Sequence, residues 1–231
     1  MAGHRPHAHP GIFLVLDGPD GGGKTTQAAR LAAWLRDTGK GVVTCRDPGG
    51  TALGNRLRDI LLERGSAPIS IRAEMLLYMA ARAQLVEDVI APALSEGRVV
   101  ISDRYLLANI VYQGSAGGLM EEEIALVGMV ATSGLLPDLT LVLDITPAAA
   151  SARVGPARDR IEDRPLFYRE RVRAGYLAAA GGEARDGAQA PLGCPYYPAP
   201  IVLIDSSPDP DAVFERVKSE VERVLALDPR P

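Results

Sequence analysis

Residues 17–26, DGPDGGGKTT, set four glycines and the basic side chain of Lys24 between an apolar run, IFLVL at 12–16, and a stretch with helical spacing. No other feature narrows the fold of this chain as far. Glycine in such a place costs backbone entropy, so the chain must need bare backbone there. The order Gly18, Pro19, Asp20, Gly21, Gly22, Gly23, Lys24, Thr25 has the spacing GxxxxGK[ST]. The glycines let successive backbone N–H groups turn inward as an anion nest. The helix that follows, entered at Thr25 and Thr26, aims its positive end at the same point. Lys24 reaches phosphate oxygens as a point charge, and the Thr25 hydroxyl holds Mg²⁺. Lysine occurs only at 24, 40 and 218, the remainder of the 25 basic residues being arginine. Its presence in this loop therefore carries weight. The loop binds a nucleoside triphosphate; by itself it does not say what becomes of the phosphate.

Short continuous apolar runs alternate with helical patterns along the rest of the chain. Strands are expected at Ile12–Asp17, 41–46 (GVVTCR), 99–102 (VVIS), Leu139–Asp144 and Ile201–Asp205. Runs without polar alternation suit strands buried on both faces of a parallel sheet. Helices are expected at 25–37, 71–95 with a kink near Pro92, Glu121–Thr132, 166–180 and 211–227. This alternation predicts an α/β three-layer sandwich around a five-stranded parallel sheet, with ligands at the carboxyl ends of the strands. Residues 1–10 read as a disordered leader and 11–231 as one domain. Within it, 154–165 reads as a lid and 181–200 as an irregular insertion with no assigned role.

Bulk numbers remove several functions. A net charge of −4 does not suit nucleic acid or anionic lipid as a partner. No apolar run reaches the roughly 18 residues of a membrane span, and the N-terminus lacks the apolar core of a signal peptide. Cys45 and Cys194 make neither a disulfide framework nor a zinc site. These features predict a cytoplasmic protein. The three histidines, His4, His7 and His9, all lie in the leader, which excludes histidine acid–base chemistry in the body.

The remaining suggestive residues fall at predicted strand ends. Asp103 and Arg104, in ISDRY, can hold Mg²⁺ through water and bridge two phosphate groups. Tyr78 and Arg82 share a helix face and can stack on a base and bond its edge. The cluster ARVGPARDRIEDR, with Arg153, Arg158, Arg160 and Arg164, reads as an arginine-rich flap able to close over a transferring phosphoryl group.

Six motifs then stand in the order found in bacterial thymidylate kinases: DGPDGGGKTTQ, RDPGGT, AEMLLYMAARAQLVE, DRY…NIVYQG, PDLTLVLDITP and DRIE. The chain resembles that family from about 12 to 180 and again at Ile201–Asp205. The resemblance implies a P-loop nucleoside monophosphate kinase fold and transfer of phosphate from ATP, with Mg²⁺, to dTMP. It implies catalytic roles for Lys24, Arg104 and the lid residues Arg158 and Arg160. ATP would be bound by 18–26, Arg153 and the segment from Asp205. dTMP would meet Asp20, Asp47, Tyr78, Arg82, Arg104, Asn109, Tyr112 and Gln113, with Arg82 on thymine O4 and Tyr112 under the sugar. Thr25 and, through water, Asp103 would serve the metal. A homodimer through helices on one side of the sheet is implied too. Asp47 stands where the family more often has Glu, Ala108 where Ser is common, and Gly21 where the animal type has Arg. A kinase of another pyrimidine deoxynucleotide and a non-catalytic nucleotide-binding protein are the alternative readings.

Overall fold

The computed structural model describes residues 7–64, 67–154, 159–161, 163–181 and 194–227. Strands β1 (Ile12–Asp17), β2 (Val42–Arg46), β3 (Val99–Asp103), β4 (Leu139–Asp144) and β5 (Ile201–Asp205) form one sheet in the order β2-β3-β1-β4-β5. Every pairing is parallel. The central strand β1 is buried along its whole length, which is why it reads as an unbroken apolar run. Its side chains alternate between two cores. Phe13 and Val15 face one side, with Met79, Leu85, Ile110, Val111 and Tyr176. Ile12, Leu14 and Leu16 face the other, with Leu31, Leu35, Val217 and Val221. A sheet covered on both faces is the three-layer arrangement that the sequence predicts.

The helices that cover it are α1 (Lys24–Asp37), α2 (Ala52–Leu62), α3 (Ile71–Leu85), α4 (Ala91–Ser95), α5 (Leu106–Asn109), α6 (Glu121–Thr132), α7 (Pro147–Val154), α8 (Leu166–Ala179) and α9 (Pro210–Leu227). Helix α2 is absent from the sequence reading. It is capped by the Thr51 hydroxyl, which accepts from the Gly54 N–H at 2.9 Å, and Leu53, Leu57, Ile60 and Leu61 give it helical apolar spacing. The single helix expected over 71–95 is interrupted. A π-helical turn, Val86–Ile90, separates α3 from α4 and precedes Pro92. Proline has no N–H to give, so the ladder must change register before it. A second π-helical turn, Ile110–Ser115, extends α5.

Of the expected leader, residues 7–10 are described, and His7 Nε2 lies 3.0 Å from Asp138 Oδ2. Most of the expected insertion, 182–193, lies outside the described residues. Its end returns to the core: Tyr197 is buried and its hydroxyl is 2.8 Å from Thr140 Oγ1. No described helix is long and apolar enough to cross a membrane.

Candidate active site

Parallel strands present their carboxyl ends at one edge of the sheet. The register sets Leu16 beside Asp103 and Arg46 beside Asp103, so β1, β2 and β3 end together. The glycine loop leaves β1 there. Gly18 has φ 124°, and a Cβ on it would meet the Leu143 carbonyl at 2.5 Å, so both its conformation and its surroundings require glycine. Gly23, at φ 84°, admits the chain to α1. The buried Lys24 ammonium donates to the carbonyls of Gly18 (3.1 Å) and Pro19 (2.8 Å) and stands 3.9 Å from Asp20. Burial, and then the Arg104 charge beside it, pushes its pKa down. A phosphate would relieve both effects.

Arg104 is the hub of the site. It sits at φ 71°, a strained conformation for a residue with a side chain. Its guanidinium bonds Asp20 Oδ1 (2.5 Å), the Gly18 carbonyl (3.1 Å), Asp17 Oδ1 (3.3 Å) and the hydroxyls of Tyr112 (3.1 Å) and Tyr176 (3.2 Å). Burial would raise the Asp20 carboxyl, but Arg104 and Lys24 outweigh it and hold Asp20 below the ordinary carboxylate value. Asp17 goes the other way, since burial raises it against the pull of Arg104. Among the described residues its Oδ2 has no hydrogen-bond partner, while Oδ1 accepts from Tyr176 at 2.6 Å.

Two clefts open at this edge. The first is lined by Asp20, Asp47, Tyr78, Arg82, Arg104, Asn109, Tyr112 and Gln113. All eight residues expected to meet the monophosphate therefore share one wall. The second, which is wider, holds Asp20 to Thr26, Asp103, Arg153 and the loop 206–210 that follows β5. Gly18 and Pro19 are on neither wall, and their carbonyls accept from Lys24. Asp205 is exposed and lines neither cleft; it accepts from the Ser207 hydroxyl and N–H. Those bonds hold its carboxyl below the ordinary value. Arg153 braces the same loop through the carbonyls of Ser206 (2.8 Å) and Ser207 (2.8 Å). Asp20, Asp47, Arg58, Arg104 and Asp159 line both clefts. The two spaces thus meet at a cluster of two arginines and three carboxylates.

Thr25 Oγ1 donates to Asp103 Oδ2 at 2.7 Å. These are hard oxygen donors side by side at the phosphate loop, which suits Mg²⁺. Among the described residues no group of three or more His, Cys, Asp or Glu could hold a metal unaided. The pair fits an ion that arrives with its phosphates and keeps water.

The lid residues divide. Arg158 lies outside the described residues. Arg160 is on the wall of neither cleft. It bonds Glu74 Oε2 (2.7 Å) and the Leu61 carbonyl (3.0 Å). The sequence reading gave no role to Arg46, Arg58, Glu74 or Tyr176. Arg46 carried a signal, the end of a predicted strand. Arg58 sits on the unforeseen α2 and bonds the Pro48 carbonyl at 3.1 Å. Burial, and then Arg46 nearby, lowers its pKa.

Comparison with known proteins agrees with this geometry. A family model described as Thymidylate kinase matches residues 16–185. A thymidylate kinase of Leifsonia xyli subsp. xyli is 47% identical over 183 residues, covering 78% of this chain and 87% of its own. One of Clavibacter michiganensis subsp. michiganensis is 40% identical over 219 residues, covering 94% and 97%. One of Solidesulfovibrio magneticus is 40% identical over 223 residues, covering 93% and 100%.

Proposed function

The chain belongs to the thymidylate kinase family, and from that premise we propose how its own residues divide the work of phosphorylating dTMP to dTDP with ATP and Mg²⁺. The observation that carries the assignment is the meeting of two clefts at Asp20, Arg58 and Arg104. One cleft runs along the phosphate loop; the other ends on groups suited to a pyrimidine.

ATP lies in the wider cleft. Backbone N–H groups of Gly21, Gly22 and Gly23 and the start of α1 receive its phosphates. Lys24 leaves the loop carbonyls for the β- and γ-phosphate oxygens. Arg153 and the loop after Asp205 border the adenine. Mg²⁺ bound with ATP supplies charge to the phosphate oxygens, and Thr25, with Asp103 through water, would hold it. dTMP lies in the narrower cleft. Tyr78 stacks on the base, Arg82 and Asn109 bond its edge with Gln113 behind, and Tyr112 packs under the sugar. Asp47 orients Arg82, which it bonds at 2.5 Å. Arg104 holds the acceptor phosphate, and Asp20 stands beside the deoxyribose and the transferring group.

The acceptor oxygen is already anionic, so no strong base is needed. A body without histidine can do this chemistry. Catalysis is then in-line positioning plus charge stabilisation by Lys24, Arg104 and lid arginines. Arg158 is the lid residue assigned to the phosphates. Arg160, held on Glu74, contributes from there by fixing the lid. The same reading includes a homodimer acting in the cytoplasm. Exposed Leu76 on α3 and Leu126 and Val130 on α6 support a partner there.

The test is ADP release with ATP and Mg²⁺ against dTMP, dUMP, UMP, dCMP and AMP. A clear preference in kcat/KM for dTMP is expected. Turnover with another monophosphate instead would keep the phosphate loop and overturn the base pocket. Binding of ATP with no turnover would overturn the division of roles.

A further inference from the structure

Glu74 is a fully buried carboxylate on α3 with four short bonds. Its Oε1 accepts from Gln113 Nε2 (2.8 Å) and Arg164 Nη2 (2.8 Å), and its Oε2 from Arg160 Nη2 (2.7 Å) and Arg164 Nη2 (2.7 Å). A buried charge needs such company. What matters is where the bonds lead. On one side they reach the lid. Arg160 is also pinned through Nε to the Leu61 carbonyl and through its own N–H to that of Leu62, at the end of α2. Arg164 lies over the Tyr168 ring at 4.3 Å. On the other side they reach the base cleft. Gln113 Oε1 accepts from Asn109 Nδ2 (2.9 Å), Asn109 Oδ1 accepts from Arg82 Nη2 (2.6 Å), and Arg82 Nε donates to Asp47 Oδ2 (2.5 Å).

This chain can run in one direction only. A guanidinium has no acceptor and a carboxylate has no donor. Arg82 therefore forces the oxygen of Asn109 towards itself, which turns the Asn109 amide nitrogen to Gln113. Gln113 must then turn its own nitrogen to Glu74. Replace the carboxylate by an amide and Arg82 still orients Asn109, but Gln113, Arg160 and Arg164 lose the charge that holds all three, and the brace behind Asn109 loosens. Asn109, Gln113 and Arg82 all line the base cleft. Glu74 and Arg160 do not.

We infer that Glu74 is a positioning residue that couples Arg160 and Arg164 to base recognition, by holding Gln113, and through it Asn109, in place at the base cleft. The inference rests on the base cleft being the one that takes dTMP. Its consequence is specific. Thymine and cytosine differ at position 4 by an acceptor against a donor, so a cleft whose Asn109 is no longer braced in place loses discrimination between them. A residue that serves the fold alone would change turnover of both substrates in the same proportion.

The experiment measures kcat/KM for dTMP and dCMP in the wild type, Glu74→Gln, Asn109→Ala and the double variant. Wild-type preference for dTMP is the control, and its absence would count against the base cleft itself. Given that preference, Glu74→Gln is expected to lower the dTMP/dCMP ratio about tenfold, the size of one lost polar contact. In the Asn109→Ala background the same change should leave the ratio within about twofold, because Glu74 acts through Asn109. An unchanged ratio in Glu74→Gln, or equal effects in both backgrounds, overturns the inference. Should Glu74→Gln not fold, Arg160→Met decides. That residue is partly exposed and off both walls, yet it is expected to lower the ratio about threefold. A fall in turnover equal for both substrates overturns the coupling.

Discussion

The phosphate end and the base end of this site are built in different ways. The phosphate end is local. Gly18 to Thr25 supply most of it from eight consecutive positions, and its donors are backbone N–H groups that any sequence with the right glycines can present. The base end is assembled from distant segments: Asp47 after β2, Tyr78 and Arg82 on α3, Asn109 and Gln113 around α5, and Glu74 and Arg160 behind them. Its donors and acceptors are long side chains whose directions depend on each other. A backbone site tolerates changes around it and fails when its charge is removed. A side-chain network fails gradually, and at a distance.

Four outcomes would sharpen or break that contrast, taken from the largest effect to the smallest. Lys24→Ala should lower kcat by about 10²–10³-fold, the usual loss for one preorganised charge at a transition state. The melting temperature should change little, because Lys24 is held mainly by two neutral carbonyls and its ion pair with Asp20 is long, at 3.9 Å. Near wild-type kcat would remove Lys24 from the chemistry. Arg104→Lys should cost about tenfold to a hundredfold in kcat/KM for dTMP, because a point charge cannot span Asp20, Tyr112 and Tyr176 at once. Steady-state kinetics at fixed ATP reads this directly. If KM for ATP moved instead, Arg104 would belong to the donor cleft alone.

Tyr176→Phe is a smaller perturbation. It removes one hydroxyl from between Asp17 and Arg104 and should cost about 1–2 kcal/mol of stability in a urea titration. No change in midpoint would mean that the buried network tolerates the gap. The smallest effect is a pH statement. Burial pushes the Cys45 thiol up to about 12, so at pH 8 its thiolate fraction is on the order of one part in ten thousand. The native chain should leave Cys45 unlabelled by a thiol reagent at pH 8 and release it on denaturation. Reactivity should rise with pH, because the raised value delays ionisation. Fast native labelling would show that β2 opens.

How much of this was legible in the sequence follows the same division. Ile12–Asp17, Leu139–Asp144 and Ile201–Asp205 begin and end as predicted, because strands buried in a parallel sheet print as apolar runs. The phosphate loop was legible because its geometry needs glycine at given spacings. Helix α2 was missed although Leu53, Leu57, Ile60 and Leu61 have helical spacing, and with it went Arg58. The π-helical turn at Val86–Ile90 was read only as a kink, because proline reports that the ladder changes and not how. Glu74 stands inside a quoted motif but receives no role there. Nothing local marks a carboxylate as the end of a hydrogen-bond chain; only the placement of Gln113, Arg160 and Arg164 around it does.

The central claim is that the two clefts meet at Asp20, Arg58 and Arg104, with ATP on one side and dTMP on the other. The most direct measurement is calorimetric binding of a single molecule that joins adenosine to thymidine through a polyphosphate bridge. One molecule per chain should bind, at least about a hundredfold tighter than either nucleotide alone, and both ATP and dTMP should displace it. Displacement by only one of them, or affinity no better than the parent nucleotides, would contradict the meeting of the clefts.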